Sequence, residues 1–174
     1  MKMRWSPCPL FWLLLTVLPT AAWSSDEDKT AVTGIWSGGD SLMEVAVEGE
    51  RLSMKVIAIR EAVYGPDEGI GEAGAPRRDD NNPDPVRQDR LLVGLELLED
   101  YRWTGRRWEG KIYDPESGNT YSSRMERDGD RLKMRGYIGV PMLGRTRHFE
   151  PVKACDEPVA EMLSASSVNL AFCD

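Results

Sequence analysis

Histidine is almost missing from this chain. His148 stands alone, so there is no set of imidazoles for a metal centre, and a lone strand histidine is more often a surface residue than a base. Cysteine is nearly as scarce: Cys8, Cys155 and Cys173 show no C-x-x-C spacing, which leaves no redox or thiolate-metal motif. No G-x-S-x-G elbow occurs, and the many carboxylates have no spacing that selects two of them. On this inventory no catalytic residue is assigned, no metal or cofactor is expected, and a non-enzymatic role is the reading. Basic charge is also short, 22 Lys and Arg against 29 Asp and Glu for a net charge of -7, a balance that argues against nucleic acid or an anionic membrane surface as a partner.

Long apolar runs are absent apart from Leu10 to Leu18. That run follows Lys2 and Arg4 and precedes Ala22-Trp23-Ser24, a small-x-small site, so residues 1–24 read as a signal peptide cleaved after Ser24. It is about half the ~20 residues needed to span a bilayer, and Cys8 lies before it, where a lipidated N-terminus would not. A periplasmic or secreted protein with no stable membrane insertion after cleavage is expected. In an oxidising compartment the remaining pair, Cys155 and Cys173, is expected to form a disulfide closing a 19-residue loop, for which chain entropy gives about 3 kcal/mol.

What is present is alternation. The 174 residues, 41% hydrophobic, suffice for one domain with a real core. Gly34-Ile35-Trp36-Ser37 opens a short strand after a polar lead-in from Ser25 to Lys29. Met43, Val45 and Val47 then alternate with polar or small residues, and after a turn at Gly49-Glu50 so do Leu52, Met54, Val56 and Ala58. Strand character returns at Leu92 to Leu98, with Val93, Leu95 and Leu97 facing one way, and runs through Trp103 into Trp108, Gly110 and Ile112. Tyr121, Ser123 and Met125, then Leu132, Met134, Gly136 and Ile138, then Arg145, Arg147 and Phe149 complete the set, with turn-formers at Asp114 to Asn119 and Asp128-Gly129. The expectation is an all-β, eight-stranded antiparallel up-and-down barrel over residues 33–152, preferred to a sandwich because sequence neighbours can all pair as spatial neighbours. Residues 153–174 form a disulfide-linked tail in which Pro158, Val159, Ala160, Met162 and Leu163 suggest a short helix.

Between Arg60 and Arg90 the pattern lapses into a Gly-, Pro-, Asp- and Asn-rich segment, expected to be one extended surface loop. Its GIGEAG, Gly69 to Gly74, matches a dinucleotide fingerprint literally but has no strand before it and Pro76 after it. Its DDNNPDP, Asp79 to Pro85, places Asp80, Asn82 and Asp84 like the start of a calcium loop, but Pro85 stands where glycine is needed and Leu91 where the glutamate should be. A proline-stiffened turn with Asx caps is the preferred reading.

GIW, DDNNPDP, LLVGLELL, WEGKIYDPESGNTYSS and RGYIGVPMLGRT together resemble the bacterial exported family catalogued as domain of unknown function 2147, over roughly Thr33 to Val152. The resemblance implies a lipocalin-like barrel of unestablished activity and brings no catalytic residues with it. Many members carry a cysteine pair where this chain has Glu48 and Ser53, and a tryptophan where it has Phe149. Gly34-x-Trp36 on the first strand with Arg145 on the last also resembles the lipocalin arrangement in which a guanidinium lies across the indole at the closed end. Such a contact contributes roughly 0.5 to 2 kcal/mol; the alternative is an exposed Arg145 beside an ordinary core tryptophan.

Three roles are compatible with such a barrel: a carrier of a small apolar ligand, a protein-interaction or envelope scaffolding module acting through its loops, and a cavity enzyme. Eight strands lie at the size where side chains either fill the interior or leave room for one small ligand. Ala58, Gly110, Ser123 and Gly136 are small residues expected to point inward; Trp36, Trp108 and Tyr121 are large enough to fill the space. The carrier reading assigns Trp36, Met54, Leu95, Tyr121, Met125 and Met134 to the ligand-facing lining, the methionines because thioether chains adapt to irregular apolar shapes. Val140-Pro141-Met142-Leu143 is expected to fold inward as a plug between Gly139 and Gly144, with partner docking or a membrane surface as the other possibility.

Overall fold

Short glycine turns cut the alternating runs into hairpins, and the hairpins wind into one sheet. The computed structural model describes residues 25–173; the signal-peptide reading of residues 1–24 lies outside them. Eight antiparallel strands follow: β1 (Gly34–Ser37), β2 (Ser41–Glu48), β3 (Arg51–Ile59), β4 (Leu98–Trp103), β5 (Trp108–Asp114), β6 (Asn119–Asp128), β7 (Arg131–Tyr137) and β8 (Arg145–Pro151). They are ordered β3-β2-β1-β8-β7-β6-β5-β4, so every hairpin neighbour pairs and first meets last through Trp36 opposite Pro151 and Ser37 opposite Glu150. The result is a nearly closed antiparallel barrel.

The remaining seam, between β3 and β4, is closed irregularly. The expected strand from Leu92 to Leu98 forms only from Leu98 onward, because Gly94 takes a positive φ of 91° that breaks the pleat. The run before β4 still bonds to β3: the Val56 amide donates to the Leu95 carbonyl at 3.0 Å and the Leu97 amide to the Met54 carbonyl at 2.9 Å. The Glu96 carboxylate accepts from the Met54 amide at 2.8 Å, doing for the ladder what a backbone carbonyl would. Leu95 and Leu97 are buried against Val56 and Tyr113 as the pattern demanded, without being a strand.

Two bulges decide which side chains face inward. Met43 pairs Val56 but Leu42 pairs Ala58, so Ile57 is an extra residue in β3. A one-residue shift inverts the faces beyond it. Ala58 therefore points outward beside Leu42, not inward as the alternation alone implies, and both are buried under a second helix. On β4 the register skips from Glu99 opposite Lys111 to Arg102 opposite Glu109, so Asp100 and Tyr101 face Gly110 alone; Asp100 is in the left-handed region at φ 53°.

Both ends of the chain pack on the barrel. The lead-in is a short helix, α1 (Ser25–Thr30), which with Val32 covers one end: the Trp108 indole donates to the Lys29 carbonyl and the Trp36 indole to the Val32 carbonyl, each at 2.9 Å. The tail helix α2 (Glu157–Ala165) starts at an Asp156 cap accepting from the Val159 amide at 3.2 Å, with Pro158 in its first turn. Its Val159, Met162 and Leu163 pack on Leu42 and Ala58, and the Cys155 and Cys173 sulfurs are bonded, with Cα atoms 5.1 Å apart. Among the described residues no helix is long and apolar enough to cross a membrane.

Candidate functional site

The covered end is solid. Trp36, Trp108, Met54, Met125 and Leu132 are each no more than 1% exposed and share one cluster with Phe149, Met134 and Tyr101, each large side chain stabilising by roughly 1.5 to 3 kcal/mol through burial. A guanidinium does lie over the Trp36 ring, but it is that of Arg127, 4.6 Å from the ring centroid, rather than Arg145. The register explains the correction. Trp36 sits opposite Pro151 while Arg145 sits opposite Gly136, six residues and about 20 Å along the strand. Arg127 shares a rung with Leu132 and Phe149 at the covered end, within reach of the indole.

Toward the other end the interior thins. The bulge turns Tyr101 over Gly110, where a Cβ would lie 2.4 Å from the Tyr101 ring, and the phenol bonds the buried Ser123 hydroxyl; burial raises the Tyr101 pKa. Two of the small positions are thus filled by one tyrosine, which the alternation did not pick out. Gly110 itself was the signal, since an interior glycine in a strand leaves room that an aromatic neighbour takes. Gly136 differs. A Cβ there would meet only the Tyr121 Cβ, at 3.8 Å. Around it the inward rungs are Ser123-Gly136-Arg145 and Met125-Met134-Arg147, with both arginines exposed and neither ion-paired among the described residues.

Of the six residues assigned to the lining, Trp36, Met54, Met125 and Met134 come together in the packed cluster. Leu95 lies in a separate cluster at the seam. Tyr121, half-buried, is the neighbour that a Cβ at Gly136 would meet, and its hydroxyl lies 3.2 Å from that of Ser117. A cleft of about 620 Å³ also opens at the seam between β3 and β4, with Leu52, Leu98, Tyr101 and Trp103 among its lining residues. His148 is exposed opposite Lys133 on the outer face.

The long segment is more than a surface loop. Asp79 is fully buried: Tyr113 donates to it at 2.6 Å, Asn82 at 2.8 Å and Arg90 at 2.5 Å. Burial first, then this hydrogen bond, pushes the Tyr113 pKa up to about 12. Asn81 donates to the Pro115 and Glu116 carbonyls at 3.2 and 3.0 Å. Gly118 is required there, because a Cβ would fall 1.9 Å from the Asn81 carbonyl oxygen. DDNNPDP and IYDPESGNTY therefore interlock at the uncovered end. Asp80 accepts from the Tyr64 hydroxyl at 2.8 Å, Asn82 from the Asp84 amide at 3.0 Å and Asp84 from the Val86 amide at 3.1 Å, the Asx caps expected of a stiffened turn. Beside them a cavity of about 270 Å³ is lined by Arg87, Arg90, Glu96 and Glu99 among others.

A family model described as "Uncharacterized protein conserved in bacteria (DUF2147)" matches residues 23–150. The chain belongs to this family. Comparison with curated proteins gives no match. Among solved structures, "Protein HP1028 from the human pathogen Helicobacter pylori belongs to the lipocalin family" is similar with a TM-score of 0.57 and 19% identity, over 77% of this chain and 97% of that one. At that identity the likeness is one of fold, and this family member has a lipocalin-like barrel.

Proposed function

We infer that the protein is an exported binding protein, not an enzyme, whose barrel holds a small, largely apolar ligand at the uncovered end. The observation that carries this reading is the inward side of Gly136, where a Cβ would make one ordinary contact, with the Tyr121 Cβ at 3.8 Å, on the rung next to that of Met134 and Met125. The ligand seat is therefore placed nearer the mouth than the six-residue lining supposed. Tyr121 and Met134 contact the ligand, while Trp36, Met54 and Met125 support the floor, and Leu95 serves the seam. The Cys155–Cys173 bond suits an oxidising compartment, periplasmic or extracellular.

Native mass spectrometry of protein purified from its own compartment tests the reading. A copurifying small molecule of one mass, released on unfolding, is expected. Stoichiometric copurification of a second protein, with an empty barrel, contradicts it and favours the scaffolding role.

A further inference from the structure

Two features of the uncovered end lie outside the apolar seat. The link between β7 and β8, expected to fold inward as a plug, stands in solvent instead, with Met142 and Leu143 89% and 81% exposed. The other feature is the cavity of about 270 Å³ between the long segment and the residues that lead into β4. None of the six residues assigned to the apolar lining belongs to it.

Charge at this cavity is sorted by segment. Arg87 and Arg90 come from the long segment, Glu96 from the run before β4 and Glu99 from β4 itself. Among the described residues no ion pair joins one set to the other. Arg87 pairs with Asp84 at 3.4 Å and Arg90 with Asp79 at 2.5 Å, both within the long segment. Glu99 sits opposite Lys111 in the register but forms no ion pair with it.

Two buried atoms of these residues are left unmatched. The Glu96 Oε1 accepts from the Met54 amide at 2.8 Å and the Leu98 amide at 3.2 Å, while its Oε2 is buried without a partner. Arg90 donates to Asp79 through one terminal nitrogen, while its Nε is likewise buried and unpartnered. Leaving groups of this kind unmet is costly. One acceptor and one donor, both on charged side chains, call for an occupant that has both.

A simple anion would meet Arg90 Nε but approach two unpaired carboxylates. A simple cation would meet the glutamates but offer nothing to Arg90 Nε. A zwitterion satisfies both, and because the arginines already have carboxylate partners, its ammonium is the stronger handle. The volume lies just under the ~300 to 1,000 Å³ of pockets for drug-sized ligands, and Asn82, Asp84 and Thr120 make the rest of the lining polar. We propose that this cavity binds a free α-amino acid with a short or polar side chain, its ammonium held by Glu96 Oε2 and Glu99 and its carboxylate by Arg90 Nε and Arg87. The site is independent of any ligand at Gly136.

Isothermal titration calorimetry of the full chain with glycine, serine and glutamine, and with the N-acetyl and amide derivatives of each, tests the proposal. At least one free amino acid is expected to bind with a Kd of about 1 mM or tighter. Its N-acetyl derivative should not bind, and its amide should bind about tenfold or more weakly. Glu96→Gln keeps an oxygen for the Met54 and Leu98 amides and should weaken binding about tenfold or more, as should Arg87→Gln at the exposed rim. Arg106→Gln, which alters an exposed arginine outside the cavity, should leave it unchanged. Circular dichroism matching that of the unaltered chain confirms folding. No amino acid binding at about 1 mM or tighter would mean that the cavity holds only water, and overturns the proposal. So does a derivative that binds as tightly as its parent, or undiminished binding by either Glu96→Gln or Arg87→Gln.

Discussion

Asp79 is the residue on which the uncovered end turns. A fully buried carboxylate is tolerable only with donors on its oxygens, and Tyr113, Asn82 and Arg90 provide them. This ties stability to alkaline pH. The folded-state pKa of Tyr113 lies near 12, above the ordinary value of about 10, so the folded state favours the neutral phenol. Its contribution is complete below about pH 10 and is lost as pH rises toward 12. Tyr113→Phe should lower stability at neutral pH by about 1 to 3 kcal/mol, because Asp79 loses a donor, and should flatten the decline above pH 10 by removing one titration. Tyr64 and Tyr101 are raised as well, so the difference between the urea-unfolding profiles of the two proteins isolates Tyr113. Parallel alkaline profiles would show that Tyr113 titrates at its ordinary value.

Among the elements, α2 packs on the outside of the barrel and is fastened there by a disulfide. Val159, Met162 and Leu163 cover Leu42 and Ala58, and the Ser166 hydroxyl accepts from the Ile59 amide at 2.9 Å. The disulfide spans 18 positions of sequence and contributes about 3 kcal/mol by restricting the open chain. Reduction should therefore expose the tail to chymotrypsin while β1 to β8 remain protected, read as early cleavage after residue 152 with a persistent core fragment. Cooperative loss of all strands on reduction would mean that α2 is integral to the barrel. The eight-strand order was legible because period-two patterning and glycine turns act locally. The inward faces were less so, since one extra residue at Ile57 turns Ala58 outward and the left-handed Asp100 turns Tyr101 inward, and the sequence marks them only as an apolar run from Val56 to Ile59 and a three-residue step from Leu98 to Tyr101. The cover formed by α1 escaped for another reason: its contacts to the indoles are made by backbone carbonyls, which any polar lead-in possesses.

At the scale of the whole molecule the barrel divides into a packed half and an open half. Trp36, Trp108, Met54, Met125 and Leu132 fill the first; the second has Gly136, the exposed Arg145 and Arg147 on the inward face of β8, and an apolar tip at its rim. Of the residues proposed as lining, Trp36, Met54, Met125 and Met134 lie together in the packed half and Tyr121 lies beside Gly136. The distinction between a filled and an open rung depends on which side chains cross the lumen, and Tyr101 and Arg127 do so from bulged or neighbouring strands. Whether the open half is a seat for ligand is tested most directly at Gly136. Thermal unfolding is followed for the unaltered chain and Gly136→Phe with a panel of fatty acids, isoprenoids and aromatic metabolites. A ligand present at about a hundred times its Kd should raise the Tm of the unaltered chain by about 5 to 10 °C, and Gly136→Phe should fold, since a Cβ there makes no contact closer than 3.8 Å, yet show no such rise. A panel that shifts neither protein, or a ligand that stabilises both equally, would contradict a ligand seat at Gly136.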